Sequence, residues 1–193
     1  MESFSKTDSY FVQTFSHVVL EAQKVSTKEF ESCSFEKCSF INTIFQKCSF
    51  VDCKFADCVI SAIQIPNCKF SNNVFANSKV IGVDWTKATR VDNMRLDNCQ
   101  INYSNFSYLK LLKLHLAGCI AHEVDFVEAD LSGSNFTGTD FQGSRFGNTN
   151  LTKSDFRSAK NYYIDTKTNV LTKAIFTFPE VMGLLRHLDI IIE

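Results

Sequence analysis

The sequence contains few residues that break regular structure. Two prolines and seven glycines occur among 193 residues, and neither type clusters into a linker. No apolar run reaches the ~18 residues that a membrane span requires. The segment from Met1 to Lys6 lacks a charged stretch followed by an apolar one, so we expect no secretory signal. These absences favour one elongated domain in the cytoplasm, where thiols stay reduced.

Catalytic motifs are also missing. The chain has no nucleophile elbow, no glycine-rich phosphate loop, no HExxH and no CxxC. We therefore predict that it is not an enzyme and that it uses no cofactor and no metal. The 20 basic residues are balanced by 21 acidic ones, giving a net charge of −1, and no basic stripe emerges. Direct nucleic-acid binding is therefore unfavoured. The four histidines are scattered: His17, His115, His122 and His187.

What the chain does have is a large apolar residue at every fifth position. Five matches neither the helix period of 3.6 nor the strand period of two. A backbone that turns one corner of a solenoid with every five residues would direct all of them to its axis. The first run comprises Phe30, Phe35, Phe40, Phe45, Phe50, Phe55, Ile60, Ile65, Phe70, Phe75, Val80 and Trp85. The second comprises Leu96, Ile101, Phe106, Leu111, Leu116, Ala121, Phe126, Leu131, Phe136, Phe141, Phe146, Leu151 and Phe156.

The position two residues before each centre is mostly small. Late units therefore read as a small residue, a polar residue and a Leu or Phe centre, as in Ala129-Asp130-Leu131, Ser134-Asn135-Phe136 and Ser154-Asp155-Phe156. Over roughly residues 15–160 this pattern resembles the pentapeptide repeat proteins. The resemblance implies an all-β fold, a right-handed quadrilateral β-helix with four units, or 20 residues, in each coil.

All eight cysteines fall in the column of small residues. We interpret them as buried core packing, because free Cys behaves as a small hydrophobe. Disulfides remain an alternative, since neighbouring coils ~4.8 Å apart are within reach of one. No paired CxxC units indicate a metal site. In the 20-residue coil the pairs that stack are Cys33 with Cys53, Cys38 with Cys58, Cys48 with Cys68, and Cys99 with Cys119.

The repeat also sets the expected boundaries. Residues 1–14 are predicted to form an irregular N-terminal cap, residues 15–160 the β-helix, and residues 161–193 a C-terminal capping and dimerisation segment. Trp85 and Leu96 are 11 residues apart where two units need 10, so the phase break near 86–95 predicts a one-residue bulge or a small loop.

The C-terminal segment predicts a short α-helix over about 179–188. Pro179 and Glu180 suit its first turn. Such a short helix must pack its apolar stripe on something, either the last coil or a second copy. We favour dimerisation, and the resemblance implies the same, because topoisomerase-protecting members form head-to-head homodimers through a similar end. The expected interface is Val181, Leu184, Leu185, Leu188, Ile190, Ile191 and Ile192.

The function that the resemblance implies is DNA mimicry. Members that protect against quinolones, microcin B17 or albicidin bind type II topoisomerases, DNA gyrase or topoisomerase IV, in place of DNA. This chain lacks the long protruding loop of some quinolone-protection members, so it is more similar to the self-immunity form. The alternative is a general protein-interaction or structural scaffold with no topoisomerase role, since repeat folds present extended binding surfaces and fold alone does not choose a function.

The candidate partner surface is an acidic run without Lys or Arg between His122 and Ser144. It contains Glu123, Asp125, Glu128, Asp130 and Asp140. Residues 20 apart are expected to be ladder neighbours, and three of these acids then have basic neighbours: Asp125 beside Arg145, Asp130 beside Lys110, and Asp140 beside Lys160. Glu123 and Glu128 have none, so they are the strongest candidates.

Overall fold

The computed structural model describes residues 4, 7–187 and 190. Within them the chain winds as a right-handed quadrilateral β-helix built from strands of three residues each. Each strand pairs in parallel with the strand one coil away. No helix in this part of the chain is long and apolar enough to cross a membrane.

The strands, numbered along the chain, form four sheets, which we call faces I to IV. Face I contains β1 (Ser9–Phe11), β5 (Glu29–Glu31), β9 (Ser49–Val51), β12 (Lys69–Ser71) and β15 (Arg90–Asp92). Face II contains β2 (Thr14–Ser16), β6 (Ser34–Glu36), β10 (Lys54–Ala56), β13 (Val74–Ala76), β16 (Arg95–Asp97) and β17 (His115–Ala117). Face III contains β3 (Val19–Glu21), β7 (Ser39–Ile41), β11 (Val59–Ser61) and β14 (Lys79–Ile81), and face IV contains β4 (Lys24–Ser26) and β8 (Ile44–Gln46).

Beyond these strands the ladders continue as single bridging residues. Face I extends through the bridges from Lys110 to Asp130, Asn150 and Val170. Face IV extends from Asp84 through Asn105 and Asp125 to Arg145. All four faces therefore reach the C-terminal half in register.

The central residue of each strand points inward and stacks on its counterpart in the next coil. On face II the rings of Phe15 and Phe35 lie 5.1 Å apart, and those of Phe35 and Phe55 lie 4.7 Å apart at an angle of 5°. Neighbouring faces meet edge to face, as between Phe35 and Phe40 at 79°. Both geometries are favourable for aromatic pairs. The core is therefore a continuous column of rings along the rod axis.

The corners of the coil have a left-handed backbone. The second residue after a centre has a positive φ in nearly every unit, for example 57° at Asn72, 54° at Glu123 and 72° at Gly143. Asn, Asp and Gly tolerate this conformation best. Side chains at these positions project from the edges of the rod.

The small inward residues hydrogen-bond one coil to the next. Ser78 Oγ accepts from the Cys58 amide at 2.9 Å and donates to the Ala76 carbonyl at 2.8 Å. Asn73 does the same at a buried position, accepting from the Cys53 amide and donating to the Phe50 carbonyl, each at 3.0 Å. Buried backbone groups need such partners. Small polar residues and Cys therefore suit this column for hydrogen bonding as well as for size.

The eight cysteines are all free and buried, which confirms the packing interpretation. Their thiols donate to backbone carbonyls, as Cys119 Sγ does to Leu96 at 3.4 Å. Burial raises the pKa of Cys53 and of Cys119 to about 12. A hydrogen bond with Cys58 instead lowers the pKa of Cys38 to about 7, but the Cys38 side chain is sealed in the core.

The phase break is a compact 3-10 turn over Trp85–Lys87 on face IV. Asp84 caps it by accepting from the Thr86 amide at 3.2 Å. One extra residue is absorbed here, since Lys69 pairs with Ser49 at a spacing of 20 but with Arg90 at a spacing of 21. The extra residue lies between Trp85 and Arg90, and Trp85 still stacks on Phe106 at 5.8 Å.

The N-terminal boundary differs from the expectation. The first coil begins with β1, so the predicted irregular cap over residues 1–14 is too long. Tyr10 occupies a central position and stacks on Phe30 at 5.2 Å. Phe4 closes this end of the core, with its ring 5.2 Å from that of Phe15. The coil starts early because Tyr10 satisfies the period although the residues around it do not match the later units.

The C-terminal boundary also differs. The predicted end at residue 160 is too early, because Asn150 bridges to Val170 and Asp155 to Ile175. Phe156 stacks on Phe176 at 5.1 Å, so the 20-residue spacing persists. The 20-residue spacing is interrupted at Ile164, which bridges to Phe146 only 18 residues earlier. Two residues are therefore missing before Ile164, and two extra residues follow it, since Val170 is again 20 residues from Asn150.

The helix that follows is a 3-10 helix over Glu180–His187 rather than the predicted α-helix over 179–188, and Leu188 lies outside the described residues. Met182 N–H bonds to the Pro179 carbonyl, an i to i+3 bond of 3.0 Å. A helix this short, with Gly183 inside it, gains little from α-helical bonding.

Phe35→Ala should lower the free energy of unfolding by about 3–5 kcal/mol, because it removes a buried ring that stacks on both sides. The matched control is Phe11→Ala, whose ring is 66% exposed, and it should change the stability by less than about 0.5 kcal/mol. Urea unfolding followed by circular dichroism measures both. Equal losses would contradict the column of rings as the source of stability.

Candidate partner-binding surface

Of the five acidic residues predicted to bind a partner, three lie on three different faces and two lie at corners. Asp140 is on face III, Asp125 on face IV and Asp130 on face I, as their ladder bridges show. Glu123 and Glu128 have positive φ and occupy the two corners that border face IV. The acidic run is therefore continuous in sequence but wraps around the rod.

Two of the aspartates form the ladder pairs predicted for them. Arg145 Nη2 forms an ion pair with Asp125 Oδ2. Lys160 Nζ lies 3.5 Å from Asp140 Oδ2. Charges neutralised in this way offer little to an external partner.

Asp140 has further partners of its own. Asn161 Nδ2 donates to it at 2.8 Å and the Gln142 amide at 3.2 Å, while His122 Nε2 lies 3.5 Å away. Burial raises the pKa of Asp140, but the hydrogen bonds from Asn161 and Gln142 outweigh it and hold that pKa below its ordinary value. Asp140 therefore stabilises the coil.

Asp130 lies beside Lys110 in the ladder, as predicted, but the two form no ion pair within the described part of the chain. Its carboxylate instead accepts from Asn150 Nδ2 at 3.0 Å and from the Ser132 amide at 3.1 Å. Asn150, one coil later, therefore binds the Asp130 carboxylate in preference to the flexible Lys110, one coil earlier.

Glu123 and Glu128 are exposed, and neither carboxylate has an ion pair or hydrogen bond among residues 4, 7–187 and 190. The Glu123 amide donates to the Gln142 carbonyl at 2.9 Å and the Glu128 amide to the Gly147 carbonyl at 2.8 Å. Their backbones are therefore fixed while their carboxylates remain available.

Gly143 gives the Glu123 side chain its direction. A Cβ added at Gly143 would lie 3.0 Å from Glu123 Cγ, so the glutamate occupies the space that a side chain at 143 would need. Glu123 and Gly143 also line a surface depression of about 330 Å³ together with Tyr103, Asn105, Asp125 and Arg145.

Two tyrosines stand at the same corners one coil earlier. Tyr103 is 61% exposed and Tyr108 is 68% exposed, and both have positive φ like the two glutamates. The sequence shows them only as neighbours of the glutamates, although their spacing of five marks them as equivalent corners. We call Tyr103, Tyr108, Glu123 and Glu128 the Tyr–Glu surface, which frames face IV.

The C-terminal end carries the second candidate surface. Leu184 of the predicted interface packs against this chain's own core, and Val181 and Leu185 are half-buried. Ile190 is exposed, whereas Leu188, Ile191 and Ile192 lie outside the described residues. Other apolar side chains are exposed at this end, chiefly Phe178 at 79%, with Val170, Ile175 and Met182.

The described residues contain no group of three or more His, Cys, Asp or Glu side chains arranged to hold a metal ion.

Family models match most of this repeat. The pentapeptide repeat region model matches residues 28–106, and the model of pentapeptide repeats in eight copies matches residues 99–138 and 134–160. Together they cover more than half of the chain. It belongs to the pentapeptide repeat family. No curated protein matches this family member in sequence.

Solved structures of pentapeptide repeat proteins resemble the coil. HetL, involved in heterocyst differentiation regulation in the cyanobacterium Nostoc sp. strain PCC 7120, is 11% identical, with a TM-score of 0.56 over 90% of this chain and 89% of HetL. QnrB1, a plasmid-mediated fluoroquinolone resistance protein, is 15% identical in a trypsin-treated form, with a TM-score of 0.47 over 94% of this chain and all of that one. At these identities the likeness to HetL shows the shared fold alone.

Asp140→Asn should lower the free energy of unfolding at pH 7 by about 1–3 kcal/mol, because it weakens charge-assisted hydrogen bonds. A carboxyl with a depressed folded-state pKa stabilises above its unfolded pKa, and this stability is lost as pH falls through the folded pKa. Stability curves of the wild type and the variant should therefore converge below about pH 4. Urea unfolding between pH 2 and pH 7 measures this, with Glu123→Gln as a control expected to match the wild type. A constant gap at all pH values would contradict the assignment.

Proposed function

We propose that this pentapeptide repeat protein is a non-catalytic, cytoplasmic binding protein, and that its partner is a type II topoisomerase such as DNA gyrase. In this proposal it occupies the DNA-binding surface of the enzyme and modulates the response to a poison such as a quinolone or peptide antibiotic. The Tyr–Glu surface would make the contact. The single observation that carries the proposal is the pair of exposed, unpartnered carboxylates, Glu123 and Glu128, on the two edges of one face.

The composition of this surface suits a basic partner. A DNA-binding surface is lined by Lys and Arg, which carboxylates on a rigid edge can pair with. Exposed tyrosines supply large contact area and are enriched at protein interfaces. Because hydrogen bonds to the next coil fix the backbones of Glu123 and Glu128, little backbone entropy is lost on binding.

The negative charge that supports DNA mimicry is confined to a small part of the surface. Duplex DNA carries one negative charge per ~1.7 Å, whereas this chain has a net charge of −1, with Asp125 and Asp140 already paired. We therefore propose contact through face IV and its two corners rather than through a rod that is acidic on all sides.

The second candidate is a protein-interaction scaffold with a different partner. The distribution of the five acidic residues over three faces and two corners favours it, because a scaffold needs no continuous negative stripe. The same Tyr–Glu surface would then bind a basic patch on another protein, so the topoisomerase assay separates the two candidates.

We expect the wild-type protein to alter supercoiling by DNA gyrase, alone or with a quinolone, at micromolar concentration. Glu123→Lys combined with Glu128→Lys should weaken this effect at least tenfold, because it places like charges against a basic surface. The matched control is Glu31→Lys, an exposed glutamate at the end of β5 on face I, which should behave as the wild type.

No effect of the wild-type protein on gyrase or topoisomerase IV would overturn the topoisomerase proposal and leave the scaffold. An effect that both the double variant and Glu31→Lys retain would place the contact away from the Tyr–Glu surface.

We also propose a homodimer through the C-terminal end. Leu184 is used within the chain itself, so the side chains available to a second copy are the exposed apolar ones of Ile175, Phe178 and Ile190. Exposed apolar clusters of this kind usually mark interfaces. The helix would then both cap its own last coil and support the contact.

Ile175→Asp combined with Phe178→Asp should convert the dimer into a monomer in light scattering, because it buries charge in an apolar contact. The control is Phe11→Asp, which changes an equally exposed ring in the first coil and should leave the mass unchanged. A wild-type monomer would refute the dimer, and a double variant that stays dimeric would refute this interface.

A further inference from the structure

A cleft of about 560 Å³ lies between the last coil and the C-terminal 3-10 helix. One wall is the helix, and the other is formed by Gln142, Gly143 and Asn161, with Tyr162 and Tyr163 between them. The volume is within the range of about 300–1,000 Å³ that is typical of small-molecule sites. The cleft adjoins the Tyr–Glu surface, because Gly143 lines both the cleft and the depression beside Tyr103 and Glu123.

The 3-10 geometry aligns three helix residues along the cleft. Such a helix has three residues per turn, so Glu180, Gly183 and Arg186 fall in one row, and all three line the cleft. With a rise of about 2.0 Å per residue, the row is about 12 Å long. In the described part of the chain neither Glu180 nor Arg186 has an ion pair. An acid and a base thus stand unpaired at opposite ends of the row.

Gly183 leaves the middle of the row open. A Cβ added there would meet no atom within 4 Å. Its φ is not left-handed, so backbone conformation does not explain the glycine. The missing side chain instead allows a ligand to approach the helix backbone between Glu180 and Arg186.

The opposite wall offers amide groups. Asn161 Nδ2 is used by Asp140, which leaves Asn161 Oδ1 as an acceptor. The Gln142 side chain has no hydrogen bond among the described residues, so both of its amide groups are available. Side-chain amides offer the same donors and acceptors as a peptide group.

The floor contains a buried hydroxyl without a partner. Tyr162 is 6% exposed, and its Oη has no hydrogen bond among the described residues. Burial, reinforced by the negative charge of Glu180, raises the pKa of Tyr162 to about 12, so it remains a donor. It is one of six buried side-chain polar atoms without a partner in the described residues, and among them only Tyr162 belongs to the lining of this cleft.

We propose that this cleft binds a short peptide with free termini, its ammonium group at Glu180, its carboxylate at Arg186 and its peptide groups between Gln142, Asn161 and Tyr162. Arg binds a carboxylate in a bidentate manner. An extended chain spans about 3.3–3.6 Å per residue, so three residues fit the row of about 12 Å. This inference does not depend on a topoisomerase partner.

The test is isothermal titration calorimetry of the full chain with trialanine. We expect saturable binding that is lost when the same peptide carries an acetylated N terminus and an amidated C terminus. Arg186→Gln should weaken binding about tenfold, and Tyr162→Phe about three- to tenfold, the equivalent of one hydrogen bond. Gly183→Leu should abolish binding, because its side chain fills the cleft.

The control is Arg157→Gln, an exposed arginine on face II that is paired with Asp155 and should leave the affinity unchanged. Circular dichroism and thermal unfolding show that each variant retains the coil. Absence of wild-type binding at millimolar trialanine, equal binding of the blocked peptide, or unchanged binding by Gly183→Leu would each overturn the proposal.

Discussion

The structure depends on the in-register stacking of each coil on the next. Each central ring lies about 5 Å from its counterpart one coil away, close to the spacing of the backbone ladder. Ring stacking and strand pairing therefore have the same repeat, and neither distorts the other. Since every coil contacts only its neighbours, as in other repeat proteins, the position of a residue within the coil determines what surrounds it.

The same constraint explains how the coil tolerates irregular lengths. The extra residue at Trp85–Lys87 is placed in a corner turn, so the strands on both sides keep their pairing. The two-residue shortening before Ile164 is made up by two extra residues between Ile164 and Val170, so Phe156 still stacks on Phe176. Corners absorb the changes because ladder bonds and inward side chains occupy the strands. The shortened corner is also where the cleft beside the 3-10 helix forms, with Tyr162 in its lining.

Much of this arrangement could be predicted from the sequence, because a period of five assigns every residue a direction and a neighbour. The buried free cysteines, the Asp125–Arg145 pair and the bulge after Trp85 all follow from it. The period could not predict the partner of Asp130, since two ladder neighbours compete and the choice depends on side-chain length. The five-residue period also did not predict the last coil. Tyr162 and Ile164 depart from the spacing there, and Phe176 returns to it. The sequence also could not predict that the final helix is a 3-10 helix. In a short segment, the spacing of apolar residues does not distinguish a 3-10 helix from an α-helix.

A rod of this kind has its binding capacity at its edges and ends. An outward side chain within a face has ladder neighbours on both sides, and Asp125 and Asp130 are paired or hydrogen-bonded through such neighbours. Corner side chains also meet their neighbours in the next coil, as Asn72 does with Asp52 at 2.9 Å. Glu123 and Glu128 keep free carboxylates because neither has a Lys or Arg at the same corner of an adjacent coil. At the last coil there is no further coil to complete the ladder, so the Tyr162 hydroxyl and the Phe178 ring lack the neighbours that earlier coils supply. The two corner glutamates and the last coil are therefore the places where we propose that partners bind.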